Sequence, residues 1–118
     1  MLTDEMRYRL MQALQRNPEM SQRDLARELD VSLGRVNFCL RALIKRGLVK
    51  ARNFSNSKHK SAYMYLLTPR GIEQKASFAV KYLRAKTAEY EELRAEIIRL
   101  KHEVKVQVVS ERLSASDR

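Results

Sequence analysis

Nine cationic side chains fall between Asp30 and Glu73 with no carboxylate among them: Arg35, Arg41, Lys45, Arg46, Lys50, Arg52, Lys58, Lys60 and Arg70. A solvated protein face normally mixes signs. A one-sign run of this length suits a polyanion, and a nucleic acid before others. The whole chain has 24 Lys plus Arg against 14 Asp plus Glu, for a formal charge of +10. The excess is uneven. Residues 1–73 hold 14 basic and 7 acidic side chains, net +7, whereas residues 74–118 hold 10 and 7, net +3.

Other chemistries find no matching residues. A single cysteine, Cys39, excludes an intramolecular disulfide and a multi-cysteine metal site. It reads as a small buried residue rather than a redox sensor. His59 and His102 have no carboxylate or thiol at ligand spacing, so neither zinc nor iron is expected. Three glycines form no phosphate-cradling loop, and there is no HExxH and no Ser/His/acid set. Glu89, Glu91 and Glu92 read as a solvated helical face, not a catalytic pair. The expectation is a non-enzyme without cofactor or metal. Hydrophobic residues make up 44% of the 118, enough for a core. No apolar run approaches the roughly 18–20 residues of a membrane span, and MLTDEMRYRL lacks a signal-peptide stretch. A reduced, cytoplasmic (nucleoid) protein is expected.

The elements that must position the cations follow from caps and periodicity. Thr3 caps a first helix that carries Met6, Leu10, Ala13 and Leu14 at helical spacing and stops at Asn17-Pro18. Ser21 caps a short second helix with the stripe Leu25, Ala26 and Leu29. Asp30-Val31 makes a tight connection to Ser32, which caps a third helix with Val36, Leu40, Leu43 and Ile44 on one face. Gly47 ends it in the left-handed position. Residues 48–54 and 63–67 read as strands flanking a polar, basic tip, so they form a hairpin. Thr68-Pro69 then opens a long helix, Thr68 as cap and Pro69 at the first helical position. The predicted fold class is mainly α with a small β-hairpin wing, a winged helix-turn-helix, plus a long C-terminal coiled-coil helix. The predicted divisions are 1–75 for the winged domain, 76–109 for the helix and 110–118 for a frayed tail.

The run SQRDLARELDVSLGRVNFCLRALIKRGLV (Ser21 to Val49), the wing and the closing Leu67-Thr68-Pro69-Arg70-Gly71 resemble the MarR-type family of bacterial transcriptional regulators. The resemblance covers roughly residues 3–75. It looks closest to a short subgroup associated with exopolysaccharide gene clusters. It implies a regulator whose third helix reads an operator. The long flanking helical regions that build the dimer base and ligand pocket of larger family members have no counterpart here, so no ligand residue is carried over and any small-molecule effector stays open.

At about 100° per residue, the face of the third helix opposite Val36, Leu40 and Leu43 carries Gly34, Phe38, Arg41 and Lys45, flanked by Arg35, Asn37 and Ala42. A helix enters the major groove with its N-terminal turns nearest the base edges, which draws in Ser32 as well. Arg35 suits guanine and Asn37 adenine, each bidentately, and Phe38 suits a thymine methyl. Gly34 lets the backbone approach, while Arg41 and Lys45 suit phosphates. The competing reading leaves the polar residues as solvated surface and packs Phe38 in the core. On the wing, Arg52, Asn53, Lys58, His59 and Lys60 suit phosphates or a minor groove, against a merely solvated tip. Gln22, Arg23 and the Ser21 amide end are placed for one phosphate contact.

Along the last helix Ala76, Leu83, Tyr90, Ile97 and Val104 repeat every seven residues, with Ala79, Lys86, Leu93 and Leu100 as the companion series. Leu83, Tyr90, Leu93, Ile97, Leu100 and Val104 are the expected dimer seam, broken at Lys86. A parallel pair faces Glu89 with Arg94 and Glu96 with Lys101 of the second copy, which an antiparallel pair does not. The alternative is packing of this face on the chain's own first helix. The sequence therefore predicts a homodimeric regulator on a palindrome of double-stranded DNA, with a protein-docking module or a sequence-independent architectural binder as alternatives.

Overall fold

The computed structural model describes residues 3–54 and 62–116. Element order is α1 (Asp4–Arg16), α2 (Gln22–Leu29), α3 (Leu33–Lys45), β1 (Val49–Phe54), β2 (Ala62–Leu67) and α4 (Pro69–Ser116). The chain divides into two compact units, Met1–Tyr82 and Leu83–Arg118.

In the first unit each helix begins where a side-chain oxygen satisfies an amide that the helix itself leaves unpaired. Thr3 Oγ1 accepts from the Met6 amide at 3.1 Å, Ser21 Oγ from Asp24 at 3.0 Å and Ser32 Oγ from Arg35 at 3.1 Å. At α2 the cap is reciprocal, because Asp24 Oδ2 accepts from the Ser21 amide at 3.2 Å. Helices this short are marginal alone. They are held by the apolar stripes they share: Met6, Leu10, Met11, Ala13 and Leu14 of α1, Leu25 and Leu29 of α2, and Val36, Cys39, Leu40 and Leu43 of α3 are all buried. Each large side chain contributes roughly 1.5–3 kcal/mol by leaving water. Ile44, expected on this face, is 37% exposed; it sits in the last turn of α3, at the margin of the buried stripe.

Gly47 has φ 73°, the left-handed conformation that turns the chain out of α3 into β1. The hairpin is antiparallel, with Val49 opposite Leu67 and Ala51 opposite Tyr65. Two backbone hydrogen bonds fix its base, one to the connection between α1 and α2 and one between the residues that flank the strands. The Tyr65 amide donates to the Pro18 carbonyl at 3.0 Å, and Leu48 O accepts from the Thr68 amide at 3.0 Å.

Thr68 caps α4, its hydroxyl oxygen accepting from the Gly71 amide at 3.0 Å while donating to Gly47 O at 2.7 Å. Gly71 is required here for space, since a Cβ would stand 2.0 Å from Leu48 O. The first turns of α4 complete the core. Phe78 is buried, the Arg7 guanidinium lies 5.4 Å from its ring centre, and the Tyr82 hydroxyl donates to Glu5 at 3.2 Å. This anchoring moves the boundary of the winged domain from the expected residue 75 to Tyr82.

In the second unit α4 runs on without a break. The expected frayed tail is a correction: residues 110–116 are helical, and residues 117–118 lie outside the described residues. No proline or glycine follows Gly71, and Gln107 Nε2 donates to Glu111 Oε1 one turn on at 3.1 Å. No described helix is long and apolar enough to cross a membrane.

Candidate nucleic-acid interface

α3 is clamped by one face and open on the other. Val36, Cys39, Leu40 and Leu43 are buried, while Gly34, Arg35, Phe38, Arg41 and Lys45 are exposed. Phe38 is the decisive position: at 60% exposure it is not a core residue, so the alternative that packs it inside is removed. Burial in the core therefore does not account for this large aromatic on a basic helix face. Gly34 sits one turn before Phe38, and nothing stands within 4 Å of where its Cβ would be, so the face is unobstructed at its N-terminal end. Ser32 is exposed, with its hydroxyl oxygen engaged as the α3 cap.

Asn37 differs from its neighbours. It is half-buried, and its Nδ2 donates to Gln22 Oε1 at 3.2 Å. Gln22 Nε2 in turn donates to the Tyr65 hydroxyl at 3.1 Å. Gln22 is therefore turned toward the hairpin and α3, not toward an external phosphate. The Ser21 amide donates to Asp24 and is likewise occupied. Of the three groups expected to contact a phosphate at the start of α2, Arg23 is exposed, whereas the Gln22 amide and the Ser21 N–H are engaged within the protein.

Cys39 is fully buried. Burial pushes its thiol up to about 11, against the opposing pull of the nearby Arg7 and Arg35 charges. At neutral pH the group is a protonated thiol, without the thiolate that redox sensing uses.

On the hairpin, Lys50, Arg52 and Asn53 of β1 and Tyr63 of β2 are exposed, with Asn53 opposite Tyr63. Tyr63 stacks on Tyr65 with ring centres 6.4 Å apart. The expected tip residues Lys58, His59 and Lys60 lie outside the described residues. Sequence reasoning missed the Tyr65–Gln22–Asn37 chain and the exposed Tyr63. Strand alternation carried part of the signal, because Tyr63 and Tyr65 point the same way and share one side of the hairpin. The polar relay through Gln22 joins residues 15 and 43 positions apart and leaves no local trace.

From Leu83 onward the expected seam is open. Leu83, Tyr90, Leu93, Ile97, Leu100 and Val104 are between 42% and 66% exposed. Within the helix, Lys86 pairs with Glu89 at 3.2 Å. Thus the lysine that breaks the apolar series also engages the glutamate assigned to an interhelical pair.

Comparison with known proteins agrees with this geometry. Residues 3–50 match the family described as winged helix-turn-helix DNA-binding. No curated protein matches the chain in sequence. Among solved structures, a PadR-like transcriptional regulator from Bacillus cereus superposes with TM-score 0.64 at 19% identity, over 74% of this chain and 89% of that one. The PcaV transcriptional regulator from Streptomyces coelicolor, solved with its natural ligand, gives 0.59 at 18% identity, over 70% of this chain. This chain spans only 57% of PcaV. A MarR family transcription regulator gives 0.56 at 24% identity, over 93% of this chain and 70% of its own. At these identities the likeness is one of fold. With the matched helices, the hairpin after them and the clamped third helix, the described residues 3–54 and 62–67 have the winged helix-turn-helix fold.

Proposed function

We propose that this protein is a sequence-specific DNA-binding transcriptional regulator that acts as a homodimer on a palindromic operator. The observation that carries the reading is the outer face of α3: Arg35, Phe38, Arg41 and Lys45 exposed together, with Gly34 unobstructed and no carboxylate on the helix. A helix of this width fits the major groove, and such a face supplies both base-edge and phosphate contacts. Arg35, Asn37 and Phe38 read bases, while Arg41, Lys45, Arg52 and the wing residues Lys58, His59 and Lys60 meet phosphates or a minor groove. The protein performs no chemistry of its own and acts by occupying DNA.

Two copies join through Leu83, Tyr90, Leu93, Ile97, Leu100 and Val104. Support comes from their exposure at heptad spacing along α4. Linking two weak readers raises affinity through effective concentration and sets half-sites about one helical turn apart. Solved winged-helix neighbours described as MarR family and PadR-like transcriptional regulators support the same role. The resemblance of residues 21–49 extends the proposal to exopolysaccharide genes as targets.

Selection of bound fragments from random and genomic DNA, with affinity followed against salt, tests this. A palindromic motif is expected, upstream of polysaccharide genes in the genomic pool. A steep salt slope without a motif replaces the regulator with an architectural binder. Absence of duplex binding replaces it with a protein-docking module.

A further inference from the structure

We infer that Tyr65, on the wing strand, is a specificity-determining positioning residue that sets the orientation of the Asn37 side-chain amide through Gln22. The inference rests on the DNA-reading role proposed for Asn37.

The relay has a fixed end and a working end. Tyr65 is the fixed end: it is 7% exposed, its amide donates to Pro18 O at 3.0 Å, and its ring stacks on Tyr63. Its hydroxyl accepts from Gln22 Nε2 at 3.1 Å, and Gln22 Oε1 accepts from Asn37 Nδ2 at 3.2 Å. Both amides are half-buried, so the two bonds are partly shielded from competing water. Asn37 is the working end, one position before the exposed Phe38 and two after the exposed Arg35.

A carboxamide reads adenine bidentately only if its plane is coplanar with the base and its oxygen and N–H2 point the correct way. A free Asn side chain samples a broad terminal torsion and must be ordered when it binds. Here one N–H is committed to Gln22, which fixes the plane before DNA arrives and leaves the second N–H and the carbonyl oxygen for the base edge. Three elements meet in this relay: the strand that carries the wing, the start of α2 and the outer face of α3. Wing placement and base choice are thereby linked through Tyr65 and Gln22.

The test uses the 118-residue chain and a random duplex pool, comparing Tyr65→Phe, Gln22→Met, Asn37→Ala and the double variant Tyr65→Phe/Asn37→Ala. Tyr65→Phe is expected to relax preference about fivefold, the equilibrium value of one neutral hydrogen bond, at the same operator position that Asn37→Ala relaxes. Preference at other positions and the salt slope stay as in the parent. The double variant relaxes that position no further than Asn37→Ala alone. Gln22→Met keeps the ring of Tyr65 in place and gives the same single-position loss, so the relay remains testable if Tyr65→Phe melts early. Uniform weakening on all sequences shows a structural strut and overturns the inference. So does relaxation by Asn37→Ala with none by Tyr65→Phe or Gln22→Met, which leaves the regulator reading intact. A parent protein that selects no motif removes that reading and this inference with it.

Discussion

The same chain treats its apolar residues in opposite ways on the two sides of Tyr82. Before it, Leu10, Leu14, Leu25, Val36, Leu40, Leu43 and Phe78 are buried among one another; after it, Leu83, Leu93, Ile97, Leu100 and Val104 stand exposed at heptad spacing. The first unit is a core that stabilises itself. The second is a helix whose apolar series stands open. Helices gain most of their stability from packing an apolar face. The fold of the first unit is intramolecular, whereas order in residues 83–116 is expected to depend on a second copy.

The sharpest way to break this contrast is to put charge on the exposed seam. Leu93→Asp with Ile97→Asp is expected to give monomers by light scattering and to lower operator affinity at least 100-fold through lost avidity. The melting of the winged unit should change little. An unchanged mass refutes the seam. Next comes a lesion on the other side of the boundary. Gly71→Ala drives a Cβ toward Leu48 O and should destabilise the winged unit by about 3 kcal/mol in chemical denaturation. If stability is unaltered, the close approach of α4 to the hairpin base is not needed.

Smaller effects sharpen the two faces of α3. Arg35→Ala should relax base preference at one operator position by about 1–3 kcal/mol, whereas Lys45→Ala should weaken all duplexes alike and reduce the salt slope by about one. Ser21→Ala removes a reciprocal cap and should lower stability by about 1 kcal/mol. Cys39 gives the most subtle signal. Its folded thiol binds its proton more tightly than an unfolded one, with about 11 against 9.0. The resulting stability is fully present below pH 9 and declines as pH rises through 11, so denaturation midpoints should fall in that window. A Cys39→Ala variant should lack this component.

Local signals were the legible ones. Thr3, Ser21, Ser32 and Thr68 each cap the helix they were expected to open, because capping depends on three or four consecutive residues. The two faces of α3 followed from helical period alone, apart from Ile44 at the stripe's edge. What stayed hidden depends on contacts between distant residues. Phe78 and Tyr82 lie off the heptad series and join α4 to α1, so the domain boundary fell seven residues later than expected. Gln22, read from its place at a helix start as a phosphate ligand, is drawn inward by Tyr65 and Asn37. The continuation of α4 to Ser116 was underestimated because polar and small residues near the end of a chain resemble a frayed tail, although each is helix-compatible.

An outer face of α3 that reads bases, as proposed, must do more than attract phosphates. The most direct measurement is the affinity of the purified protein for the duplex it selects against a scrambled duplex of equal length and composition, at one near-physiological salt concentration. A ratio of about a thousand or more is expected, falling toward one in the Arg35→Ala/Asn37→Ala double variant. Equal affinity for both duplexes in the parent protein would contradict it.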